Sequence, residues 1–144
     1  MNIGIEFVGK LSQAYALSCK PLCYELNLPQ TAFDILMFLA NNPEYKTASE
    51  IVEVRKIKAN LVSVNVEKLV NEGYLVRKSV EGDRRKVQLL CTEQAGNIIK
   101  KGRELQERFI SQLFENMDDE TKHFLQKGIQ QMEENIDKIL EENK

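Results

Sequence analysis

Along the chain, apolar positions fall into helical stripes, broken once by a stretch of strand type. Phe7, Leu11, Ala14, Tyr15, Leu17, Leu22 and Leu26 mark a first amphipathic helix over residues 3–26. Pro21 interrupts it, removing one backbone hydrogen bond and crowding the preceding turn, so a kink or break is expected there. Phe33, Leu36, Met37 and Ala40 make the next apolar face, opened by Pro29 and closed by Asn41-Asn42-Pro43. Thr47-Ala48-Ser49-Glu50 has capping-box spacing: the threonine hydroxyl can accept from the third helical amide while the glutamate reaches back to the cap. It predicts a short helix ending by Lys56.

Val62, Val66, Leu69 and Val70 then recur at the spacing of one buried helical face, with Gly73 where a C-terminal stop belongs. The period changes after it. Tyr74-Leu75-Val76 and Val87-Gln88-Leu89-Leu90-Cys91 are β-type runs flanking Glu81-Gly82-Asp83, the turn chemistry of a two-stranded hairpin. Thr92 caps a long helical run carrying Ile98, Ile99, Leu105, Phe109 and Leu113. Asp118 caps the last, striped by Phe124, Leu125, Ile129, Met132, Ile136, Ile139 and Leu140. The prediction is a mainly α fold with a small β-hairpin, in which Ala59 to Thr92 form a reading helix followed by a wing.

Charge sharpens that reading. From Arg55 to Lys86 there are nine Lys or Arg against four acids, leaving eleven bases and eighteen acids elsewhere. The formal net charge of −2 therefore hides a basic patch. Phosphate attraction acts over roughly a Debye length, ~8 Å at physiological salt, so the local balance decides.

The residues carrying this patch resemble a known family. Ser49-Glu50-Ile51, the LVNEGYLVRK run and GDRRKVQLLCTEQAG are similar to the winged helix-turn-helix core of the MarR family of bacterial transcriptional regulators. That family has an Asp-x-Arg wing motif, here Asp83-Arg84-Arg85, followed by a Leu-Thr-like pair, here Cys91-Thr92. The resemblance implies one MarR-like domain over 1–144: residues 29–92 as a winged helix-turn-helix DNA-binding lobe, 1–28 and 93–144 as dimerisation helices. It also implies a homodimer on double-stranded DNA, and often a small aromatic or amphipathic effector between the two parts, for which Tyr15, Cys19, Phe33 and Met37 are the candidate lining residues.

On the reading helix, Asn60, Leu61, Ser63, Val64, Glu67 and Lys68 lie opposite the apolar stripe. Asn60 and Ser63 can bond base edges or phosphates, and Lys68 can neutralise a phosphate. Leu61 and Val64 stand where the family commonly has polar or basic side chains, and could meet only thymine methyls. Lys58 precedes the helix, and Thr47 and Ser49 are expected near the backbone at the start of the short helix, whose amides favour phosphate. In the wing, Arg77, Lys78, Arg84, Arg85 and Lys86 suit the narrow, electronegative minor groove. By resemblance, Arg85 enters that groove and Asp83 orients it through a carboxylate-guanidinium bond; Arg84 could take its place.

Other classes have less to stand on. At 144 residues and 42% apolar, the chain fits one domain with an adequate core. Without an 18-residue apolar run or a basic start leading into one, it reads as neither membrane-spanning nor secreted, hence cytoplasmic. Three cysteines suggest reduced thiols, and one histidine argues against a metal site. No glycine-rich phosphate loop or nucleophile constellation suggests an enzyme or a cofactor. Two alternatives remain open: a winged-helix module that binds protein through Leu61 and Val64, and a redox sensor through Cys19 and Cys23, four apart on one helical face.

Overall fold

The computed structural model describes residues 4–143, the side chain of Arg84 apart. The chain divides into two compact units, Met1–Phe109 and Ile110–Lys144. The first holds α1 (Ile5–Leu26), α2 (Gln30–Asn41), α3 (Ala48–Arg55), α4 (Ala59–Asn71), β1 (Leu75–Val80), β2 (Asp83–Cys91), a 3₁₀ turn (Glu93–Ala95) and most of α5 (Gly96–Leu113). The second holds the end of α5 and α6 (Asp119–Glu142). Among the described residues, no helix is long and apolar enough to cross a membrane.

In the first unit α2 is the centre of the core. Seven of its residues are buried, Ala32, Phe33, Ile35, Leu36, Met37, Phe38 and Leu39, so it is covered on all sides rather than along one stripe. Around it pack Cys19 and Cys23 of α1, Ile51 of α3, Val62, Val66 and Leu69 of α4, Leu75 and Leu89 of the hairpin, and Ile98 and Leu105 of α5. The contact with α5 is close: a Cβ on Gly102 would run into Met37 and come within 3.1 Å of Phe33.

Most predicted elements stand, with two differences. α1 is one continuous helix through Pro21, so of the expected kink or break the break does not occur. Pro21 itself is exposed, while Cys19 and Cys23 on either side are buried, so packing before and after the ring holds the helix together. The strands are also longer than their apolar runs, because the ladder uses backbone groups: β1 continues through Arg77-Lys78-Ser79, and β2 begins at Asp83.

The second unit has a different character. Asp118 caps α6 by accepting from the Thr121 amide at 2.8 Å. No residue of α6 is buried, and its stripe lies open, with Phe124 60% and Ile139 58% exposed.

Candidate nucleic-acid interface

Two short helices and a hairpin make the candidate surface. α3 starts at a complete capping box: Thr47 Oγ1 accepts from the Glu50 amide at 3.2 Å, and Glu50 Oε1 accepts from the Thr47 amide at 3.1 Å. Thr47 Oγ1 also donates to Glu50 at 2.9 Å, so the cap occupies that hydroxyl; Ser49 beside it is exposed. Lys56, at φ 55°, ends the helix in the left-handed region and turns the chain through Ile57 to Lys58, the exposed N-cap of α4.

α4 buries Val62, Asn65, Val66 and Leu69. Asn60, Leu61, Ser63, Val64 and Glu67 are exposed, so the predicted reading face is on the surface. Two features of this helix were missed from the sequence. Asn65 turns inward and donates from Nδ2 to the Leu61 carbonyl at 2.8 Å, an i to i−4 bond available to any asparagine inside a helix. Lys68, expected at phosphate, is half-buried with its Nζ 2.8 Å from Glu72 Oε1. The i, i+4 spacing of that pair was the available signal.

The wing is irregular where its charge lies. β1 and β2 pair antiparallel from Leu75↔Cys91 to Ser79↔Val87, and the next pair is Val80↔Asp83. Arg84, Arg85 and Lys86 therefore have no partner across the ladder: three successive bases form a bulge beside the tip. Gly82, at φ 86°, supplies the left-handed turn residue. Asp83 Oδ1 accepts from the Arg85 backbone amide at 3.0 Å, so it braces the bulge through the main chain; among the described residues it makes no bond to the Arg85 guanidinium. Arg77, Lys78, Arg85 and Lys86 are exposed; the Arg84 side chain lies outside the described residues.

Backbone contacts tie this wing to the helices. The Leu89 amide donates to the Lys46 carbonyl at 2.6 Å, joining β2 to the approach to α3. Thr92 Oγ1 donates to the Gly73 carbonyl at 2.6 Å and Gln94 Nε2 to the Glu72 carbonyl at 3.2 Å, which fixes the hairpin base against the end of α4.

A sequence model described as the MarR family matches residues 26–86, from the end of α1 to the last base of the bulge. That stretch, which holds most of the reading lobe, is similar to the MarR family. Solved structures share its fold along nearly the whole length. A MarR transcriptional regulator from Methanosarcina mazei Go1 is 24% identical, with a TM-score of 0.75 over 93% of this chain and 99% of its own. A MarR protein from Peptoclostridium difficile is also 24% identical, with a TM-score of 0.79 over 100% and 97%. A Listeria monocytogenes protein described as a MarR family transcriptional regulator, and crystallised with 26mer DNA, has a TM-score of 0.82 at 18% identity over 94% and 90%. No curated protein matches the sequence.

Within this fold, the four candidate effector residues lie in the core or against it. Cys19, Phe33 and Met37 are buried, and Tyr15 packs edge-on against Phe109 at 5.2 Å while its hydroxyl accepts from Gln106 Nε2 at 3.0 Å. Burial pushes the Tyr15 hydroxyl up to about 12. The open space lies next to them: a cleft of about 870 Å³ lined by Leu17, Lys20, Cys23, Tyr24, Gln30 and Lys68 among others. Cys19 and Cys23 are free thiols, and burial pushes both up, Cys23 to about 11, the reverse of what a reactive thiolate needs. Among the described residues, no group of three or more His, Cys, Asp or Glu is placed to hold a metal ion.

Proposed function

We propose that this chain is a homodimeric, sequence-specific DNA-binding transcriptional regulator, a repressor on a pseudo-palindromic operator. α4 enters the major groove and the wing the minor groove. One observation carries the reading: the exposed face of α4 shares a lobe with a wing whose bulge presents consecutive bases, braced by Asp83 and anchored at Lys46 and Gly73. Such a bulge aims cations outward from a fixed base, as a narrow groove requires. The DNA complex of the Listeria monocytogenes relative, similar over 94% of this chain, supports it.

Lys58, Ser49, Asn60, Ser63, Arg77, Lys78, Arg85 and Lys86 are exposed and are assigned to DNA, with Arg84 beside them in the bulge. Lys68 serves α4 through Glu72, and Thr47 serves α3 through Glu50. Residues 29–92 form the reading lobe. Residues 1–28 and 93–144 hold the dimer together, because α6 and the start of α1 expose Phe7, Val8, Phe124, Ile129, Ile136 and Ile139 to water and a second copy would cover them. An amphipathic effector would enter the cleft beside Lys20 and Lys68 rather than the filled core at Phe33 and Met37. By favouring a dimer geometry in which the two α4 helices no longer match successive major grooves, it would release the operator. Such a regulator works in the cytoplasm, beside the DNA it controls.

Selection of short random duplexes by the purified protein tests this. The expected product is an inverted repeat with half-sites about one helical turn, ~34 Å, apart. Retention of no sequence above bulk DNA would refute it.

A further inference from the structure

Leu61 and Val64 are 45% and 67% exposed and three residues apart on α4, which makes them surface neighbours. The core does not need them. Val62, Val66 and Leu69 fill it from the opposite face, at 1%, 3% and 0% exposure. One exposed apolar side chain is ordinary, but two side by side, on a face shared with Asn60, Ser63 and Glu67, form a feature with its own chemistry.

The surrounding charge commits that feature to one occupant. Arg55, Lys56 and Lys58 precede the helix and the basic bulge follows it, an arrangement complementary to a polyanion. Neither leucine nor valine can donate or accept a hydrogen bond, so neither can read N7, O6, N6 or N4 of a base. The one apolar group on the floor of the major groove is the thymine C5-methyl. A cytosine at the same place would have its amino group stripped of water with no acceptor in return, which disfavours it. Asn60, one residue before Leu61 and exposed, can bond adenine N6 and N7, which favours the same A·T pairs.

We propose that Leu61 and Val64 are specificity-determining residues that read thymine methyl groups, so that each half-site carries A·T pairs where these side chains meet the groove. This rests on the duplex-binding function proposed above. It also makes the two side chains that depart from the family's polar pattern the source of this chain's operator preference.

The test is to remake the selected duplex with deoxyuridine in place of each thymine in turn, which keeps the base pair and removes only the methyl. For the wild-type full chain, substitution at the positions facing α4 should weaken binding about fourfold per buried methyl, and substitution elsewhere should change nothing. The Leu61→Ala/Val64→Ala variant, whose changes are on the surface, should still bind the duplex and lose the sensitivity to deoxyuridine. Equal binding of all deoxyuridine duplexes, or a variant with undiminished sensitivity, would overturn the methyl reading while duplex binding stands. If wild type retains no preferred duplex at all, the duplex-binding function falls and this inference with it, leaving Leu61 and Val64 to a protein partner.

Discussion

The Glu50 carboxylate accepts from the Lys46 amide, the Thr47 amide and the Thr47 hydroxyl, at 3.1, 3.1 and 2.9 Å. These bonds, the Lys46 amide foremost, hold its carboxyl below its ordinary value. A carboxyl lowered in the folded state contributes stability above its unfolded pKa and loses it as pH falls through the folded one. Asp34, on α2, has the opposite sign: burial raises its carboxyl despite the nearby Arg55, so its contribution is full in acid and is lost as pH rises through the raised value. Denaturant titration at pH 7 and in acid should therefore show Glu50→Gln less stable than wild type only near neutrality. The same titration should show Asp34→Asn gaining on wild type at pH 7 and losing that advantage in acid. Thr47→Ala should cost about 1 kcal/mol, as loss of a threonine cap does. Among the described residues the exposed Arg85 side chain makes no hydrogen bond or ion pair, so Arg85→Ala should leave stability alone, weaken binding across many duplex sequences, and reduce the log–log salt slope by about one unit per protomer.

Elements whose period is written in one face are legible in the sequence. α4 and α6 follow from their apolar stripes, α3 from its capping box, and the stop after α4 from Gly73, which takes φ 86°. α2 shows where pattern reasoning ends. Four of its positions were read as one face, yet seven are buried, because how many neighbours surround a helix is a property of the whole core. The bulge was equally hidden: one hairpin sequence can pair in several registers, and only the ladder shows that Arg84, Arg85 and Lys86 stand without partners. The α2–α5 seam gives an element-scale prediction. Gly102→Ala would push a methyl into the end of the Met37 side chain and against Phe33; overpacking of about 1–3 kcal/mol is offset by the roughly 1 kcal/mol that alanine gains over glycine inside a helix, so a net loss of up to about 2 kcal/mol is expected in thermal or denaturant melting. A net gain would mean that Met37 swings aside freely and the seam is looser than its geometry.

At the scale of the whole molecule, the open stripe of α6 is the strongest argument for a second copy. Ile136, 49% exposed in the C-terminal half of that stripe, should tolerate Glu in an isolated helix but not at a buried interface. Sedimentation should find wild type dimeric and Ile136→Glu monomeric, with palindrome affinity lost and weak half-site binding kept; an Ile136→Glu dimer would place the interface elsewhere. The central claim is that exposed bases on a braced wing and a reading helix bind duplex DNA. Its most direct test is the equilibrium affinity of the full chain for the selected duplex over a range of salt concentrations. With Lys58, Arg77, Lys78, Arg85 and Lys86 exposed on each protomer, the account predicts a steep log–log slope, between about −5 and −9 for a dimer. A slope near zero would mean that no phosphates are neutralised, and would contradict it.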